Sequence, residues 1–111
     1  MLERVDNADL PPELASVTTS VWLVPDMMVL GVMRQSFLEP PYLWAQVLKA
    51  GVRNLRRAPA LVDELQHRIR APIVYAEADA TLERNQDLLT YLGFEMVRED
   101  HGRKLYIRSV Q

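Results

Sequence analysis

"NQDLLTYLGFEMVRED", residues 85–100, runs an amphipathic stretch, a Gly-Phe pair and a strand-like segment together without a spacer. Gly93 supplies the left-handed backbone that closes a helix, and the apolar Phe94 can fold back onto the last turn. Leu92-Gly93-Phe94 is therefore a corner between helix and strand. Just downstream, "FEMVRED" and "RKLYIRSV" flank Asp100-His101-Gly102, the residue types of a tight hairpin.

Upstream of the corner, residues 81–92 read as the helix it ends, and "PIVYAEA", 72–78, as a strand starting on Pro72. Val52, Leu55, Leu61, Val62, Leu65 and Ile69 fall largely on one side of a 3.6-residue period, which predicts another helix from Val52 onward. Pro59 interrupts it: a proline removes a backbone donor and crowds the preceding turn, so the helix is kinked there or begins near Ala58. "YLWAQVL", 42–48, is apolar enough for an inner strand, although Leu, Ala and Gln also suit a short helix. "SVTTSVWLV", 16–24, and "MMVLGVMRQ", 27–35, joined by Pro25-Asp26, suggest an antiparallel hairpin. Residues 1–15 carry Pro11-Pro12 and no sustained period, and read as an arm with at most one helical turn near residues 12–15. The expected order is β-β-β-α-β-α-β-β, an α/β (α+β) domain over residues 16–111 with a mixed, largely antiparallel sheet.

Composition sets the bounds. The chain has 111 residues, 49% of them hydrophobic and 25% charged, which fits one domain with a single core. Its formal net charge of −2 comes from interspersed acids and bases, so nucleic acid is not an expected partner. The one basic cluster, Arg53, Arg56 and Arg57 after Lys49, suits a solvated helix face. Without cysteine there is no disulfide framework, thiolate metal site or thiol nucleophile, and His67 and His101 stand apart without a second ligand at metal spacing. No apolar run is long enough to cross a bilayer, and the first residues lack the apolar core of a signal peptide, which points to cytoplasmic synthesis.

A strand, a helix ending in an aliphatic-Gly-Phe corner, and a hairpin after it resemble the later half of the Gcn5-related N-acetyltransferases, the GNAT family. Leu92-Gly93-Phe94 looks like that family's "LGF", Val29-Leu30-Gly31-Val32 resembles the strand before its central one, and residues 42–48 sit where its splayed fourth strand lies. The resemblance covers about residues 16–108. It implies acetyl-CoA as cofactor if the protein is active, and three devices to be sought. The first is a glycine-rich phosphate cradle opening the helix after the fourth strand. Its best match is Arg53-Asn54-Leu55-Arg56-Arg57-Ala58, where Arg56 stands at the central glycine, so Arg53, Arg56 and Arg57 are left to hold an anion by charge, beside Ala58.

The second device is the last helix's Asn and Tyr, the Tyr being the acid that protonates the leaving thiolate. Those positions hold Leu82 and Leu89 here, with Tyr91 nearby on another face as a replacement acid or a packing residue. The third is a general base, for which Glu77 and Asp79 are the available carboxylates, with ordinary strand-end acids as the other reading. The family also inserts two helices over its acceptor cleft between its first and second strands, and the short stretch before Ser16 implies that this lid is shortened or absent. Leu43-Trp44, the arginines of residues 53–57 and Ala78-Asp79-Ala80 are most similar to small phage-encoded GNAT-like proteins. That resemblance implies a virion or assembly component without catalysis, incorporated in a phage particle and partnered by other virion subunits, while Trp44 serves the core, an acyl channel or a partner.

Overall fold

The computed structural model describes residues 2–5, 12–15, 18–34, 38–48 and 51–111. One mixed sheet is built from β1 (Glu3–Val5), β2 (Thr18–Val24), β3 (Met28–Met33), β4 (Tyr42–Val47), β5 (Ile73–Asp79), β6 (Glu95–Asp100) and β7 (Arg103–Ser109). Its seven strands lie in the order β1-β2-β3-β4-β5-β7-β6. Every neighbouring pair is antiparallel except β4 with β5. The helices are α1 (Pro12–Ala15), α2 (Val52–Arg68) and α3 (Glu83–Tyr91). The strand and helix sequence read from residue 18 onward is the observed one, and residues 42–47 are strand rather than helix.

Alternation along the strands decides which face is buried. Trp22, Val24, Leu30, Val32, Leu43, Val74, Ala76, Ala78 and Tyr106 point to one face, and register pairs them across the ladders. Ala58, Leu61, Val62 and Leu65 form the apolar stripe of α2 that covers this face in a single core cluster, with Leu92 and Phe94 from the corner. The opposite face carries the half-buried Leu23, Val29, Tyr42, Trp44, Tyr75 and Ile107. There the indole of Trp44 lies across Gly31, where an added methyl would collide with the ring, so this backbone approach requires glycine.

Two features differ from the sequence reading. Residues 3–5 form an edge strand paired with β2, with Val5 opposite Val21. Three residues are too few to show a period, which is why this strand was invisible. Of the two alternatives for α2, the late start near Ala58 is not the observed one: the helix runs from Val52 with Pro59 inside it. The corner after α3 follows the Schellman pattern: Gly93, at φ 97°, donates its N–H to Thr90 O, and Phe94 donates to Leu89 O. Residues 101 and 102 both adopt positive φ, as a two-residue hairpin turn demands, and join β6 to β7.

Candidate functional site

The parallel contact between β4 and β5 is a single rung, Tyr42 opposite Tyr75, with the Tyr75 N–H donating to Pro41 O at 2.9 Å. Beyond it the two strands diverge and open a split in the sheet. Leu48 donates its N–H to Met27 O on the β3 side, so by antiparallel alternation the N–H groups of Ala45 and Val47 face the split. Among residues 44–48 the N–H groups aimed at the split are thus those of Ala45 and Val47.

At the apex, the rings of Tyr42 and Tyr75 stand 5.2 Å apart at 51°. Burial, then the nearby Glu77, Tyr75 and Glu39, pushes the Tyr42 phenol above its usual range, with Arg98 opposing them. Tyr42 and Tyr75 were missed as site residues. An aromatic in a strand looks like any core residue until pairing shows that the ladder ends on it.

After β4 the next described residues are Gly51 and the first turn of α2. Because the helix begins at Val52, Leu55 already donates to Gly51 O, and the N–H groups of residues 56–58 belong to the helical ladder. The stretch 53–58, matched to the cradle, is therefore helical throughout. Arg53, Arg56 and Arg57 are exposed around this turn, whereas the Ala58 side chain is buried in the core. Lys49 lies outside the described residues.

On α3, Leu89 occupies the position the resemblance gives to the acid. It is partly buried and packs against the core cluster that contains Phe94, and the two residues are the ends of the corner's closing hydrogen bond. Leu82 precedes the helix and is half exposed. The Tyr91 hydroxyl donates to Leu55 O at 2.8 Å. That carbonyl would receive the N–H of residue 59 in an uninterrupted helix, but residue 59 is proline, and Tyr91 replaces the missing donor. Pro59 and Tyr91 are thus two halves of one joint between α2 and α3.

Glu77 and Asp79 do not come together with Tyr91. Glu77 is exposed on the face away from the helices, 3.5 Å from Arg103, and lines a shallow cavity of about 240 Å³ with Arg98, Asp100 and Lys104. Asp79 accepts the N–H and hydroxyl of Thr81 at 2.9 and 2.7 Å, which hold its carboxyl below the usual range. It caps the turn into α3, and a carboxyl held so is a weaker proton acceptor.

A buried arginine leaves no signal in residue pattern. Arg108, 1% exposed, donates from Nε to Leu92 O, from Nη1 to Gln66 Oε1 and Asp63 Oδ1, and from Nη2 to Pro59 O. Gln66, wholly buried, in turn donates to Ala71 O, Pro72 O and Arg108 O. Asp63 is completed by the Gln111 N–H at 2.7 Å. This network locks α2, the corner and β7 together behind the split. Among the described residues no group of three His, Asp or Glu side chains is gathered for a metal ion.

No protein-family model matches the sequence, and no curated protein matches it. Solved structures do. The N-acetyltransferase PseH of Campylobacter jejuni aligns at TM-score 0.69 and 10% identity over 99% of both chains. A second PseH structure, in complex with acetyl coenzyme A, aligns at 0.64 and 8% over 83% of this chain and 67% of that one. A GNAT-family acetyltransferase from Listeria monocytogenes aligns at 0.60 and 13% over 87% of this chain and 66% of that one. The fold is that of the GNAT acetyltransferases. At such identities the likeness speaks for the GNAT fold alone, and this chain spans about two thirds of the length of the Listeria enzyme.

Proposed function

We propose that this chain is a GNAT-fold protein that does not transfer acetyl groups and works by contact with other protein subunits. Its finer role is that of a virion or assembly component, as the resemblance to small phage-encoded GNAT-like proteins implies. The observation that carries this reading is the fate of the acid position. Leu89 is committed to the corner, and the one phenol on α3, Tyr91, is committed as donor to Leu55 O. Acetyl-CoA fits the residues only in part. Ala45 and Val47 offer backbone donors to an extended chain, but the phosphate end meets a formed helix bearing Arg56 instead of a glycine loop.

The second reading, an active N-acetyltransferase, is favoured by one observation, the apex where Tyr42, Tyr75 and Glu77 gather at the end of the split. Calorimetry with acetyl-CoA, paired with amide hydrogen exchange at Ala45 and Val47, separates the two. We expect no saturable heat and no slowing of those two amides. Micromolar binding with slowed exchange at both would replace the first reading with the second, and transfer assays on Tyr42→Phe and Glu77→Gln would follow.

A further inference from the structure

Two strands away from the split, on the helix-covered face, three arginines from three elements converge. Arg4 of β1 lies directly opposite Trp22, Arg34 follows β3, and Arg68 closes α2. Together with Ser20 and Trp22 they line an open cavity of about 270 Å³. Among the described residues the local charge is unbalanced. Arg68 has Glu64 at 3.5 Å, Arg34 reaches only the backbone carbonyl of Glu39 at 3.5 Å, and Arg4 has no side-chain partner among the described residues. Among the described residues Glu64 is the one carboxylate paired with these three guanidiniums, so a further anion at this concave, partly apolar wall would be favoured.

The wall itself is built. Trp22 and Ser20 are buried, the Trp22 Nε1–H donates to Ser20 Oγ at 3.0 Å, and the Arg68 guanidinium stands 5.9 Å from the indole centroid. That bond uses Ser20 as acceptor and leaves its hydroxyl hydrogen to donate outward. The ladder is irregular at the same place: Thr18 pairs with Met33 and Ser20 with Val32, so Thr19 is an extra residue. Bulges of this kind re-aim side chains and recur beside binding sites.

We infer that this cavity binds a compact multivalent anion bearing phosphate or carboxylate groups, held by the forks of Arg4, Arg34 and Arg68 with Ser20 as a neutral donor. Planar guanidiniums match both oxyanions two bonds at a time, which suits a ligand with at least two charged groups. The site is independent of the split and holds whichever reading of the split is correct.

Trp22 serves as the reporter. In a Trp44→Phe background, its fluorescence is titrated with inorganic pyrophosphate and, separately, with citrate, at constant ionic strength. A saturable change is expected, with the better probe identifying phosphate or carboxylate as the preferred chemistry. Arg4→Gln and Arg68→Gln should each weaken binding at least tenfold, whereas Arg84→Gln, which removes the same charge from exposed α3, should leave it unchanged. Calorimetry on the unsubstituted chain guards against an effect of the Trp44 change. Absence of saturation with both probes, or equal weakening by Arg84→Gln, overturns the inference.

Discussion

Arg108 concentrates the stability of this chain in one side chain. Every donor edge of its guanidinium meets an acceptor, and only Asp63 among them is charged. Removing one member of a buried, hydrogen-bonded pair strands the others, so Arg108→Met should cost about 3–5 kcal/mol in denaturant unfolding. Its partner gives a signature in pH. The Gln111 N–H holds the Asp63 carboxyl below its ordinary value in the folded chain; burial opposes it, and the hydrogen bond and charge of Arg108 and the nearby His67 add to the lowering. Folding therefore prefers the charged form: this stabilisation is complete above the ordinary carboxylate value of about 4 and is lost as pH falls through the depressed folded value. An Asp63→Asn chain should lose less stability than the parent between neutral and acid pH, and parallel slopes in the two acid titrations would contradict this account. Neither residue was legible in the sequence. An arginine in a terminal strand and an aspartate in a helix look like surface residues until the fold turns both inward.

The elements most legible in the sequence were those whose ends carry their own chemistry. Gly93 and Phe94 announced the close of α3, His101-Gly102 announced the hairpin, and the spacing of Leu61, Val62 and Leu65 announced the buried stripe of α2. What stayed hidden is what depends on a distant partner. Pro59 looked like a reason to begin α2 late, because the donor that makes good its missing N–H is thirty-two residues away, on Tyr91. The joint can be measured with a four-chain cycle. Tyr91→Phe should cost about 1 kcal/mol in the parent chain, the worth of one hydrogen bond, and close to nothing when Pro59→Ala returns a helical N–H to Leu55 O. Equal costs in both backgrounds would mean that the hydroxyl does not stand in for the missing donor. The split was legible only as an expectation borrowed from a resemblance, since one rung of pairing leaves no trace in residue type.

At the scale of the whole molecule, four strands stand on one side of that rung and three on the other. Each group is laced internally by antiparallel ladders, while β4 and β5 share Tyr42 and Tyr75 alone. The halves are joined chiefly by side chains beneath α2, where Leu61, Val62 and Leu65 bridge strands of both groups in one cluster. Their union is greasy where their interiors are stitched. Greasy joints resist tension poorly compared with laced strands, because hydrocarbon contacts lack the steep distance dependence and direction of hydrogen bonds. Stretched in an optical trap between handles on Thr19 and Ser109, one on each side of the seam, the chain should yield at low force. Handles on Thr19 and Gln46, both within the first group, should meet a markedly higher peak. The opening that makes room in the sheet is also its line of cleavage under load.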